Sequence, residues 1–557
     1  MTTVPLFFFF FWLPIVYSGY CSSASTMILP TQLTLLAVAA AAVSPVLGRA
    51  AAGSPRHRSL DGTPVNSTTC NGKSYSYSEL AGYGVIPSDA RDKFGDTIGG
   101  IGSAIALDQS SWKKTDDGLG YEGLLWALPD RGWNTQGTLN FINRVHKFHI
   151  TLVPQPNATI DSPASPNLEL DYVDTILFSG PDGQPTTGLD ADGSGGLEYD
   201  GFPQLPAATY TGDGFGADTS NGTTTKRISV DSEGLAINDD GTFWVGDEYG
   251  PYVWLFDSNG TIISAIRPPE AIIPKRNGSD SFSADSPPAY EDDGSGDDVT
   301  PADNPTGRNN NHGFEGLSVS ADGKTLYLLL QAAANQEGGL SSQTERYTRF
   351  LTYDVSDRLA PVYASEHVVP LPLYNDYTAK ASKNPKVASQ SEVHALPNGQ
   401  FLVLARDSGF GHGQDESLSV YRHIDVFDLA NATDIKGSEY DCEDCAVASA
   451  KGKLDEAISP AAYCSFLDFN VNSELGKFGV HNGGDQDSSL LNEKWESIAL
   501  APVDPESPGE DYFIISLSDN DFITQDGRLN FGQYQYADNS GFNLDTQALV
   551  FRVSLPS

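Results

Sequence analysis

Four glutamates set the chemistry this chain could perform, because each stands at the start of a short apolar run whose partner run ends in polar residues. Glu233 opens Glu233-Gly-Leu-Ala-Ile, and Asp247 and Glu248 close the run that returns after the turn Asn238-Asp-Asp-Gly241. Glu315 stands in the same relation to Gln331, Glu392 to Arg406 and Asp407, and Glu496 to Asp519 and Asp521. In an antiparallel hairpin the first residue of one strand lies beside the last residue of the other. Each glutamate is therefore expected beside its polar partners, and equivalent hairpins would gather all of them at one end of the molecule. Asp130 and Arg131, which follow the run Gly123-Leu-Leu-Trp-Ala-Leu128, join the same set.

Crowded carboxylates repel one another unless a cation or a cationic substrate neutralises them. Oxygen donors of this kind suit calcium, which accepts six to eight oxygens in flexible geometry. Glu233, Asp247, Glu248, Glu315, Glu392, Glu496, Asp519 and Asp521 are the candidate calcium ligands. Arg131 and Arg406 could hold an anionic group by paired hydrogen bonds. His412, in Gly409-Phe-Gly-His-Gly-Gln414, is the histidine placed to reach the same substrate. Asp130 or Asp407 would be the general base. The competing reading has each glutamate capping its own hairpin through backbone amides.

Asp190-x-Asp192-x-Ser194-Gly195 resembles the front half of a calcium loop, but Gly201 stands where the closing glutamate is needed. The chain lacks a Gly-x-Ser-x-Gly elbow, a His-Glu-x-x-His pair and a phosphate-binding loop.

The elements that must position these groups recur. Within Glu233–Ile266 four short strands follow one another with tight turns between them, the pattern of one propeller blade. Similar units start at Gly102, Glu315, Glu392 and Glu496, and a degenerate one is expected over residues 160–230. The reading is an all-β propeller with six blades favoured, seven if residues 455–480 add one, and long loops between blades. Residues 79–557 form a single domain, preceded by a segment over 51–78.

Residues 1–50 read as a presequence. Its second apolar block starts at Met27, the expected true start, and ends in small residues that place the mature terminus near Ala51. Export also fits six glycosylation triplets, at Asn66, Asn157, Asn221, Asn259, Asn277 and Asn431. Cys70, Cys442, Cys445 and Cys464 are then expected in two disulfides that tie the N-terminal segment and the 442–464 loop to the body. A Cys442–Cys445 bridge is disfavoured by their closeness in sequence. The formal net charge of −40 makes nucleic acid and anionic membranes poor partners. The chain reads as a secreted, extracellular monomer, free of the membrane once its presequence is removed.

Several segments together resemble the phytase-like family, "esterase-like activity of phytase", in a secreted fungal form. They are Asp231-Ser-Glu-Gly-Leu235, Gly246-Asp-Glu-Tyr-Gly-Pro251, Arg267-Pro-Pro269, Gly307-Arg-Asn-Asn-Asn-His-Gly-Phe-Glu-Gly316, Ala405-Arg-Asp-Ser-Gly409, Asn492-Glu-Lys-Trp-Glu496 and Ser518-Asp-Asn-Asp521. The resemblance spans about residues 80–555 and implies a propeller that hydrolyses phosphoesters or other esters. A small anionic or ester substrate is the expected ligand. A non-catalytic binding propeller and a metal-dependent lactonase or esterase are the alternatives.

Overall fold

The computed structural model describes residues 63–135, 137–210, 225–290, 299–375 and 385–557. The presequence, Met27, Ala51 and the Asn221 triplet lie outside them. Period-two alternation of apolar residues builds antiparallel strands, and helix is confined to short turns such as Asn472–Leu475.

Five sheets of four or five strands stand side by side around an axis. Blade 1 comprises Ala104–Lys114, Tyr121–Leu128, Arg144–Leu152 and Leu168–Leu177. Blade 2 comprises Ser232–Ile237, Phe243–Asp247, Val253–Phe256 and Ile262–Ile266. Blade 3 comprises Phe314–Val319, Thr325–Leu330, Tyr347–Asp354 and Val362–Pro370. Blade 4 comprises Ser389–Ala395, Phe401–Arg406, Arg422–Asp428 and Ala462–Asp468. Blade 5 takes Ala499–Pro502, Asp511–Leu517 and Thr546–Ser554 from the C-terminal part of the chain. Its outer strands, Lys73–Ile86 and Asn66–Cys70, come from the N-terminal part, and Lys73–Ile86 pairs along Thr546–Ser554. Strands from both ends of the domain thus close the ring.

The described residues form five blades where six were expected. Of the stretch 160–230, Leu168–Leu177 is the outer strand of blade 1, while Ala207–Tyr210 and Thr225–Ile228 make a separate two-stranded hairpin. Within 455–480, Ala462–Asp468 is the outer strand of blade 4. Both stretches have strand-like composition, but their strands complete neighbouring sheets.

An apolar layer fills each of the five gaps between blades. Phe178, Phe243 and Phe256 pack with Trp126 between blades 1 and 2, and the rings of Phe243 and Phe256 stack at 5.1 Å. Trp244, Leu255, Leu328 and Leu351 fill the next gap. Phe350, Phe401 and Phe427 fill the third. Leu404, Ile424, Phe466 and Phe551 join blades 4 and 5, and Trp112, Ile150, Phe513 and Ile515 join blades 5 and 1. Each such side chain contributes about 1.5–3 kcal/mol on burial, so the layers dominate the ring's cohesion.

Two glycines permit the blades' close approach near the axis. A Cβ on Gly102 would lie 2.1 Å from Asp519 N, and one on Gly234 would lie 2.6 Å from Leu317 Cβ.

Cys70 bridges Cys464, joining the outermost strands of blades 5 and 4, as expected for the N-terminal segment. Cys442 bridges Cys445, contrary to expectation. A reverse turn, in which Cys445 N–H donates to Cys442 O at 3.0 Å, brings their Cα atoms to 5.0 Å, well within bridging range. Asn66, Asn157, Asn259, Asn277 and Asn431 are all exposed, as glycan attachment requires.

Candidate functional site: an axial carboxylate cluster

The innermost strands of blades 2 and 3 bring Glu233 and Glu315 to the axis, and the segment just before the innermost strand of blade 5 brings Glu496, all three more than nine-tenths buried. Their mutual repulsion shows the convergence. Burial raises the Glu233 carboxyl well above its ordinary range, and Asp231, Glu248, Glu496 and Asp130 add to the rise. Burial does the same to Glu315, helped by Glu248 and Glu496. Glu248 is pushed up to about 8, first by burial and then by Asp231.

Blade 1 contributes Asp130 from the end of its second strand. Asp130 Oδ1 accepts from Gly132 N–H at 3.1 Å and Oδ2 from Asn134 Nδ2 at 2.9 Å. Carboxylate oxygens of Asp130, Asp231 and Glu233 all lie within 4.8 Å of one another, and so do those of Asp130, Asp519 and Asp521. Asp130 is common to both groups. Atoms that close can share one cation whose oxygen distances are 2.3–2.6 Å.

Cations partly offset the charge. Lys494 Nζ pairs with Asp519 Oδ2, lies 3.0 Å from Asp521 Oδ1 and 3.6 Å from Glu496 Oε2. Arg406 Nη2 pairs with Glu496 Oε1, and Arg131 Nη1 lies 3.3 Å from Asp231 Oδ2. Arg131 N–H also donates to Asp231 Oδ1 at 3.1 Å. Glu315 Oε1 accepts from Gln331 Nε2, as the hairpin argument expected. Glu315 Oε2 and Glu496 Oε2 are buried with no hydrogen-bond donor. Glu233 has no hydrogen bond or ion pair to any described residue.

Asp521 is held by strain. It and Phe522 are consecutive left-handed residues, with φ of 48° and 56°, a costly conformation for side chains of this size. Asp519 Oδ1 accepts from Asp521 N–H at 2.7 Å and Asn520 Oδ1 from Gly100 N–H at 2.9 Å, fixing the turn against blade 1. Phe522 packs with Trp133, Phe141, Leu529 and Tyr536 in an apolar wall beside the carboxylates.

Other residues singled out from sequence stand apart. Glu392 Oε1 accepts from Leu317 N–H at 3.2 Å and Val393 N–H at 2.8 Å, so it joins two blades through their backbones. A bulge between Gln390 and Glu392 turns it from its neighbours' register. Arg406 was expected beside Glu392, yet its guanidinium reaches Glu496 of the next blade. Asp247 accepts from Asp231 N–H, Tyr249 N–H, Gly250 N–H and Trp254 Nε1 at 2.9–3.3 Å, which engages both its oxygens. Asp407 likewise accepts from Ser419 Oγ, Val420 N–H and Tyr421 N–H. His412 stacks on Phe542 at 5.8 Å, and Asp487 and Asp545 are the charged groups that act on it. Asp190 and Asp192 turn to different partners. Asp190 binds Ala284 N–H and Ser283, whereas Asp192 binds Thr209 and Lys226.

Two members of the cluster were missed in the sequence, Asp231 and Lys494. Each lies two positions before its blade glutamate, and period-two alternation puts residues i and i−2 on one face. That offset was the available signal.

Two surface recesses lie elsewhere. One, of about 540 Å³, is lined by Arg267, Tyr353, Tyr363 and Asp441, and another, of about 680 Å³, by Lys73, Asp428 and Asn431.

A relative in Arthroderma benhamiae, "Uncharacterized secreted protein", is 53% identical over 496 residues, covering 87% of this chain and 95% of its own. Among solved structures, a luciferin-regenerating enzyme is 10% identical with a TM-score of 0.24, covering 82% of this chain and 92% of that one. An ancestral GH74 enzyme, 10% identical with a TM-score of 0.26, covers 75% of this chain and 33% of that one. The family model "Phytase-like: Esterase-like activity of phytase" matches residues 98–522, and the chain belongs to that phytase-like family.

Proposed function

We propose that the chain is a secreted hydrolase that cleaves an ester bond, carboxylic or phosphoric, at the axial cluster with the help of a divalent cation of the calcium type. The observation that carries this reading is the surplus of buried carboxylate oxygens without donors. Glu315 Oε2 and Glu496 Oε2 are removed from water yet accept no hydrogen bond from the described residues, and Glu233, 7% exposed, accepts none either. Burying such groups costs several kcal/mol unless a ligand compensates. The donors are all hard oxygens, which fits calcium and does not fit zinc with its preference for nitrogen and sulfur.

Asp130, Asp231 and Glu233 would hold the cation, and Asp519 and Asp521 flank it. A cation held there would supply Lewis acidity, polarising the scissile group's oxygen and making a water easier to deprotonate. Glu248, raised to about 8 by burial and Asp231 and accepting from Gly313 N–H at 3.2 Å, would take the water's proton as its carboxylate. Glu315 keeps a proton at Oε2 and gives it to the departing alkoxide. Water thus adds across the ester, and each product leaves with a balanced proton. Arg131, with its buried Nε lacking a protein acceptor, steadies the substrate's oxygen. Family membership and the secreted relative support export and the ester class.

The test is hydrolysis of p-nitrophenyl acetate, p-nitrophenyl phosphate and phytate by purified protein with calcium or with EGTA. Calcium-dependent turnover of at least one is expected, with Glu315→Gln lowering kcat about 100-fold at unchanged calcium affinity. Calcium binding without turnover of any substrate would favour a binding propeller instead.

A further inference from the structure

The axial cluster contains two triads of carboxylate oxygens that share Asp130, and they differ in one respect. The triad Asp130, Asp231 and Glu233 has Arg131 on its rim. The triad Asp130, Asp519 and Asp521 has an ammonium among its members, because Lys494 Nζ pairs with Asp519 and Asp521 and lies 3.6 Å from Glu496. We propose that Lys494 is a built-in substitute for a second divalent cation, so the protein binds one calcium-type ion at the first triad while the second triad is a latent metal site. The proposal rests on the cation reading above and adds its stoichiometry.

Three facts support it. Two of the lysine's three carboxylate partners, Asp519 and Asp521, belong to the triad whose mutual spacing would suit an ion. An ammonium with several carboxylates at 2.5–3.6 Å occupies the place of a small cation and cannot share it. Glu496 Oε2, buried and without a hydrogen-bond donor, faces the same lysine and would supply a fourth oxygen if the side chain were removed. The two positions would be bridged by Asp130, the arrangement in which paired cations share a carboxylate. A lysine there delivers one charge where a second ion would deliver two, and it cannot be removed by chelation. The protein would then depend on external calcium at one position only.

Isothermal calorimetry with calcium chloride on the full-length secreted protein tests this, comparing wild type with Lys494→Ala. One ion per wild-type chain and two per Lys494→Ala chain is the expected result. One ion in both, or two in the wild type, would overturn the proposal. Binding of none by the wild type and one by the variant would keep the latent site and retire the open-triad reading. Binding by neither would overturn both. If Lys494→Ala does not fold, Lys494→Gln keeps a donor to Asp519 while removing the charge, and the same gain of one ion is expected. Adding Asp521→Asn to either variant should return the count to that of the wild type.

Discussion

Blades 2 and 5 approach the axis with the same device and opposite outcomes. Each sends in a glutamate and the residue two positions before it: Asp231 and Glu233 from blade 2, Lys494 and Glu496 from blade 5. Blade 5's carboxylates are neutralised by its own Lys494, with Arg406 of blade 4 also pairing with Glu496. Blade 2 stacks charge on charge, so burial and Asp231 together raise Glu233. One repeat position therefore sets whether a blade finishes its own electrostatics or leaves them to a ligand. Blade 4 shows a third outcome, in which Glu392 is absorbed by backbone amides.

The largest effect should come from the clasp that orients blade 2's contribution. Asp247→Ala strands four donors, including the amide of Asp231, and should lower stability by about 4 kcal/mol. Asp239→Ala, in the distal turn of the same blade, should change it by less than about 0.5 kcal/mol. Chemical denaturation in EGTA compares the two, and equal losses would remove the clasp from the account.

Next comes a difference in sign between the blades. Glu496→Gln breaks buried pairs with Arg406 and Lys494 and should cost about 3 kcal/mol. Glu233→Gln relieves repulsion and should stabilise the cation-free protein by about 1 kcal/mol. If both substitutions destabilise equally, blade 2 is not the open side.

A smaller effect is expected from pH. Burial pushes Asp247 and Asp519 up to about 7 and Glu248 to about 8, above their ordinary values. A carboxyl whose folded pKa exceeds its unfolded one contributes stability that is complete below about pH 4 and lost as pH rises through the folded value. Without calcium, the melting temperature should fall as pH rises from about 5 to about 8. The calcium increment should grow over the same window, because the cation competes with protons. A calcium increment that shrinks with rising pH would contradict this.

The smallest effect should be loss of the Cys442–Cys445 bridge, which spans a sequence separation of 3 against 394 for Cys70–Cys464. In the chain-entropy picture the long closure stabilises more, by roughly 4 kcal/mol. Paired serine variants compared by thermal melting would show the order, and a reversed order would refute it.

Much of this was legible in residue types. Hairpin repetition located the blades, and a glutamate heading each unit located the axis at Glu233, Glu315 and Glu496. The extra blades were over-read because strand-like composition does not say which sheet a strand joins: Leu168–Leu177 and Ala462–Asp468 complete existing sheets. Asp247 and Asp407 were read as site residues because a buried carboxylate that ties a turn has the same sequence signature as one that binds a ligand. Only their backbone donors separate the two. The bulge beside Glu392 is equally silent in sequence, since it changes register without changing residue type. Lys494 escaped notice because a lysine is ordinarily solvent-facing, although the hairpin that sets Glu496 beside Asp519 and Asp521 carries it to the same carboxylates.

The most direct test sets equivalent glutamates of two blades against each other by calcium calorimetry at neutral pH. Glu233→Gln should weaken calcium binding at least tenfold, about 1.4 kcal/mol, whereas Glu392→Gln should leave the affinity within about twofold of wild type. Equal losses from both substitutions, or a wild type that takes up no calcium, would contradict the assignment of the axial carboxylates as a cation site.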